Sequence, residues 1–203
     1  MSVALEELRS RLADYNALRA AASMMEWDQQ TYMPPGGAEA RSEHLGRLSK
    51  IAHELFTSDE TLRLIEESKP GALGDDADML RVVSRDAYLA TKLPTELVEE
   101  KSRLAAVAHE EWVRARAEND FKSFAPTLER MFDIARQEAE LLGYKEEIYD
   151  ALLDLYEEGA TAADARAMFD ALKGPQVELV QAIAEKPPVD DSVLYGEWSQ
   201  SEQ

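Results

Sequence analysis

The sequence predicts an all-α fold: an elongated bundle of about seven to nine helices, with a long antiparallel helix pair and no significant sheet. Three observations carry that prediction. Apolar residues recur at three- and four-residue steps through most of the chain, which is the spacing of one helix face. Caps, prolines and glycines punctuate each periodic segment. No stretch sustains period-two alternation between turn dipeptides.

The first helix is expected from about Ser2 to Glu26, with Leu5, Leu8, Leu12, Tyr15, Leu18, Ala22 and Met25 on one face. Pro34 and Pro35 fix φ, bias Met33 towards an extended conformation and remove two donors, so this helix must stop by about Thr31. A second helix, about Ala38 to Phe56, turns Leu45, Leu48, Ile51, Ala52 and Leu55 inward. Thr57 or Ser58 caps a short third helix carrying Leu62 and Ile65, which Lys69-Pro70-Gly71 ends. Asp75 or Asp76 caps a fourth, with Leu80, Val83 and Ala87 inward. Pro94 or Thr95 opens a fifth, about Thr95 to Glu118, whose stripe of Leu97, Leu104, Val107, Ala108, Trp112 and Ala115 suits coiled-coil-like pairing with the helix that follows.

Ser123 is the expected cap of that sixth helix, with Phe124, Leu128, Met131 and Ala135 inward and Gly143 as a left-handed stop. A short element spans Glu146 to Leu153. Thr161 with Asp164 three residues on forms a capping box, and Gly174-Pro175 is expected to break or kink the helix it opens before the pattern resumes to about Glu185. Residues 1–185 then read as one helical domain and 186–203 as a polar tail with isolated Leu194, Tyr195 and Trp198.

Charge narrows the function classes. The 203 residues carry 22 Lys+Arg against 41 Asp+Glu, a net charge of −19, and no basic patch is evident. Such a field repels phosphate backbones, so nucleic acid is not an expected partner. Without cysteine there is no disulfide framework and no thiolate chemistry. The N-terminus lacks a basic stretch followed by an apolar core, and no apolar run approaches the roughly 20 residues of a membrane span. A cytoplasmic protein without membrane contact is the expectation.

The stretch Glu26 to Arg41 concentrates large aromatics, acids and an amide around a rigid reversal. Trp27, at the end of the first apolar stripe, is expected to be mostly buried where the elbow packs. Asp28 and Gln29 are expected to bond the backbone groups that the break leaves free. Trp27, Asp28, Gln29, Tyr32, Met33, Pro34 and Arg41 are therefore the candidate residues, as a structural elbow or as part of a substrate cleft.

These residues also carry a resemblance. W-D-Q-x-T-x-M-P-x-G-G followed by A-x-A-R resembles the N-terminal signature of the carboxypeptidase Taq family of metal-dependent carboxypeptidases. Further stretches agree in order and spacing: Leu93-Pro94-x-Glu96-Leu97-Val98, Trp112-x-x-Ala115-Arg116, Phe121-x-x-Phe124-Ala125-Pro126, and Glu140-Leu141-Leu142-Gly143-Tyr144. The resemblance implies an all-helical metallopeptidase that trims peptide C-termini and works as a homodimer.

A zinc peptidase of that kind needs H-E-x-x-H on a helix, because histidines one turn apart share a metal while the glutamate activates water. Three histidines are available. His53-Glu54 is followed by Thr57 where the second ligand belongs, His109-Glu110 by Val113, and His44 has no acid at ligand spacing. No catalytic residue, metal ligand or cofactor is expected in this chain; zinc or another divalent metal is expected only in the full-length family enzyme, whose H-E-x-x-H segment lies beyond the matched region.

Two functions follow from different classes. The chain is an N-terminal helical part or truncated homologue of a carboxypeptidase, shaping cleft wall, lid and dimer, with a catalytic domain or peptide as partner and no activity of its own. Alternatively, it is a free-standing helical module for protein interaction and dimerisation.

Overall fold

A computed structural model describes residues 2–34, 36–196 and 199. Among them are eight α-helices and no strand: α1 (Val3–Thr31), α2 (Ala38–Thr57), α3 (Asp59–Ser68), α4 (Asp75–Thr91), α5 (Thr95–Glu118), α6 (Phe121–Leu142), α7 (Ile148–Asp154) and α8 (Ala162–Ala184). A single 3₁₀ turn, Ser192–Leu194, lies in the tail. Trp198 lies outside the described residues. Packing divides the chain into two compact units, residues 1–151 and 152–203, whereas the expected boundary stood at 185/186.

The first unit has its core where the N-terminal half of α1 meets α3, α4 and the end of α2. Leu8, Phe56, Leu64, Ile65, Leu80 and Ala87 form its buried centre. Tyr15 stacks on Phe56 with ring centroids 4.5 Å apart. Arg11 ties α1 to the α2–α3 corner, donating to Ser58 Oγ and Thr61 Oγ1 at 2.9 Å each.

From that core α2 and α5 run antiparallel. Ser49 meets Ser102 at 2.8 Å, Lys50 lies 3.5 Å from Glu99, and Glu43 lies 3.8 Å from Arg103, so numbers fall on one helix as they rise on the other. Gly46 marks the close approach: a Cβ there would sit 3.4 Å from the Glu99 carbonyl oxygen. The expected long antiparallel pair is thus present, but its principal partner is α2 and not α6. The seam explains the choice, because small residues at Gly46, Ser49, Ala52 and Ala106 admit a nearer neighbour than the bulky face of α6. α6 flanks α5 antiparallel, through Lys101–Glu138 at 2.5 Å and through hydrogen bonds of Glu111 with Thr127 and Glu100 with Arg130.

Several local expectations are corrected. α1 continues five residues past Glu26, because nothing before Met33 forbids helical φ and ψ. Gly74, at φ 56°, precedes α4, and Asp75 and Asp76 occupy its first turn. Asp120 caps α6, accepting from the Ser123 backbone N–H, so Ser123 is a donor to the cap. Gly143 has φ 80° and ψ 150°, positive but outside the left-handed helical basin. Ile51, Trp112 and Met131 face solvent, and Ile134 takes the inward position on α6.

In the second unit, Thr161 and Asp164 form the expected capping box. α8 then runs unbroken through Gly174-Pro175. Proline's fixed φ is itself helical, and the carbonyl that its missing N–H leaves without a donor belongs to Ala171, an exposed residue on a helix exposed along this stretch.

Candidate functional site

The elbow between α1 and α2 is built from the last turn of α1. Asp28's carbonyl accepts from the N–H groups of Tyr32 and Met33, both at 2.9 Å, and closes the helix. Gly37 N–H then donates to the Pro34 carbonyl at 3.1 Å, and Gly36, at φ 90°, supplies the backbone state that completes the reversal. A side chain on Gly37 would meet Met33 Cγ at 3.1 Å, so Met33 folds back over the turn.

Arg41, one turn into α2, closes the elbow from the other side. Its guanidinium donates to the Met25 carbonyl and, 2.5 Å away, to the Asp28 carboxylate. The Arg41 side chain is only 16% exposed, against 39% for Asp28. Gln29 points the opposite way along the inward face, and its Nε2 donates to the Ala106 carbonyl of α5 at 2.8 Å. Contrary to expectation, the side chains of Asp28 and Gln29 do not bond the backbone groups that the break leaves free: Asp28 braces the elbow through its ion pair with Arg41, and Gln29 is engaged by α5. That Gln29 reaches α5 was not foreseen, although a position four residues after Met25 continues the inward stripe.

Trp27 is not buried. It is 60% exposed, and Tyr32 is 75% exposed, with ring centroids 5.4 Å apart. The reason is angular: from Met25 the inward face continues at Asp28 and Gln29, while two residues on from Met25 the helix has turned to its far side. The elbow therefore shows solvent an aromatic pair and keeps its polar groups, Asp28, Gln29 and Arg41, engaged in the scaffold. Pro34 is exposed, and Pro35 lies outside the described residues.

The histidines do not converge. His44 is exposed. His53 lies between α4 and α5, its Nε2 3.0 Å from the Ala90 carbonyl and its Nδ1 3.2 Å from Thr95 Oγ1. A carbonyl only accepts, so Nε2 carries the hydrogen and both ring nitrogens are occupied. His109 lies beside Trp112, ring centroids 6.3 Å apart. Among the described residues no three His, Cys, Asp or Glu side chains are placed to hold a metal, and no helix is long and apolar enough to cross a membrane. The described residues do not fit a zinc site, since each H-E pair lacks its second ligand and His53 is committed to backbone and hydroxyl.

The sequence model of the carboxypeptidase Taq (M32) metallopeptidase family matches residues 7–203. The chain belongs to that family. Thermostable carboxypeptidase 1 of Pyrococcus furiosus is 36% identical over 189 residues, covering 91% of this chain and 38% of the relative. Carboxypeptidase 1 of Bacillus subtilis is 31% identical over 187 residues, covering 89% and 37%. Among solved structures, the BsuCP crystal structure matches with a TM-score of 0.86 at 28% identity, over 91% of this chain and 38% of that one. The apo-Mg structure of Pyrococcus furiosus carboxypeptidase matches with a TM-score of 0.74 at 34% identity, again over 91% and 38%. This M32 chain thus spans less than two fifths of the length of the curated relatives it matches.

Proposed function

We propose that this chain forms a helical wall of the substrate cleft of a metal-dependent carboxypeptidase, and that the metal ligands and catalytic groups come from family sequence outside these 203 residues. One observation carries the reading: the family match extends over nearly the whole chain, yet neither H-E pair in it is completed to H-E-x-x-H. The motif order supports an N-terminal position in the family enzyme. The elbow fits a wall better than a reaction centre, because its charged and amide groups brace α1 against α2 and α5 while only the aromatic pair faces outward.

In this role the chain has no peptidase activity alone and acts on peptide C-termini only together with the catalytic portion. Association as a homodimer belongs to the same proposal, supported by the exposed apolar face of α8, which includes Phe169, Leu172, Leu179 and Ile183. The test is metal analysis of the purified chain with a carboxypeptidase assay. The expected outcome is no stoichiometric zinc and no release of C-terminal residues. One equivalent of tightly held metal, lost on His53→Ala or His109→Ala, contradicts the proposal.

A further inference from the structure

Four helices of the first unit, α1, α2, α4 and α5, leave a pocket of about 190 Å³ where they meet. Its floor is aromatic: Phe56 is buried, and Tyr15 stacks on it with ring centroids 4.5 Å apart and planes inclined by 14°. Val98 of α5 adds an aliphatic wall. Arg19, one turn beyond Tyr15 on α1 and exposed, is the one arginine or lysine in the lining.

Ser49 and His53, one turn apart on α2, also line the pocket, and their donors are engaged elsewhere. Ser49 Oγ donates to Ser102 Oγ at 2.8 Å, and His53 has both ring nitrogens occupied by the Ala90 carbonyl and Thr95 Oγ1. Arg19 differs. Its Nη1 donates weakly to the Tyr15 hydroxyl at 3.4 Å, and its Cζ lies 5.7 Å from the centre of the same ring. No acid pairs with it among the described residues, and its neighbours on the helix face are Tyr15, Asn16, Ala22 and Ser23.

We propose that this pocket binds a small aromatic carboxylate of the benzoate class. One guanidinium, with its donors in a plane, pairs a carboxylate at two points. The rings of Tyr15 and Phe56 offer a third ring the offset or edge-on contacts that aromatic groups favour. Size agrees, since a cavity of about 150 Å³ holds benzene and the larger volume here leaves room for a carboxylate beside the ring.

The same chemistry disfavours the neighbouring classes of ligand. A phosphate needs donors around all its oxygens, and one guanidinium over an aromatic floor leaves most of them bare. A peptide end brings an amide carbonyl beside its carboxylate, and the lining has no donor left to meet it once Arg19 is engaged. In a chain of net charge −19 anions are repelled at long range, so one that also buries apolar surface is held in preference to one that does not. The site stands independently of the cleft-wall role.

The test follows the backbone amide signals of the full chain by NMR, with benzoate as the probe and benzamide, N-acetylphenylalanine and inorganic phosphate as comparisons. The expected result is a saturable shift at the His53 and Val98 amides with benzoate and about tenfold weaker binding of benzamide and of N-acetylphenylalanine. Phosphate should give no saturable shift. Arg19→Gln should bring benzoate down to the affinity of benzamide, while Val98→Phe, which fills the pocket, should abolish binding of both. Arg19 is exposed and Val98 half-buried, and circular dichroism of each variant verifies its fold.

No saturable shift with benzoate, or equal affinity for benzoate and benzamide, overturns the proposal. So does binding of N-acetylphenylalanine or phosphate as tight as that of benzoate, or a benzoate affinity unchanged by Arg19→Gln or by a folded Val98→Phe.

Discussion

Within one turn of α1, Met25, Asp28 and Gln29 look inward and Trp27 looks out, and that single rotation decides what each residue contributes. Trp27→Ala should therefore change stability by about 1 kcal/mol or less in urea unfolding, where a buried ring would cost about 3–5 kcal/mol. A loss in the larger range would mean that the indole is covered in solution. The Asp28–Arg41 pair is the part of the elbow that holds it shut. A double-mutant cycle with Asp28→Asn and Arg41→Met should give a coupling of about 1–2 kcal/mol, below that of a fully buried pair because Asp28 remains 39% exposed. A coupling near zero would show that the contact is incidental. The composition of the elbow was legible in the sequence, because proline and glycine chemistry is local. The direction of the indole was not, because the stripe was extended by one residue in the wrong angular sense.

Among the elements, α2 and α5 form the spine of the first unit, and small residues are what let them do so. Ser49 meets Ser102 across the seam, and Gly46 leaves only 3.4 Å between a built Cβ and the Glu99 carbonyl oxygen. Gly46→Ala should be neutral to stabilising by up to about 1 kcal/mol, since the added methyl makes ordinary contact and alanine is the better helix former. Gly46→Leu should cost about 1–3 kcal/mol by forcing the helices apart. Thermal unfolding of both variants checks the pair, and equal effects would mean that the seam is loose. Periodicity made α5 legible from Thr95 to Glu118, both ends included. It did not reveal the partner, because an apolar stripe records that a face is covered and not by what. Small residues at the seam were the available clue, and weight given to the larger Leu97, Leu104 and Val107 obscured it. Pro175 misled in the same local way: its effect on α8 depends on whether the orphaned carbonyl reaches water, which sequence does not record.

At the scale of the whole molecule, the motifs dispersed from Trp27 to Tyr144 made the family legible, and the fold agrees with solved members at a TM-score as high as 0.86. The same sequence carries the strongest constraint on function, since Thr57 and Val113 stand where second histidines would complete a zinc motif. The role proposed for these helices is that of a wall for chemistry supplied elsewhere. The direct test adds this chain to the separately produced remainder of a homologous carboxypeptidase, such as that of Pyrococcus furiosus, with a divalent metal, and follows release of a C-terminal residue from a peptide. Neither part is expected to be active alone, and activity should rise saturably as this chain is titrated in. Full activity of the remainder by itself, or activity of this chain alone, would contradict that role.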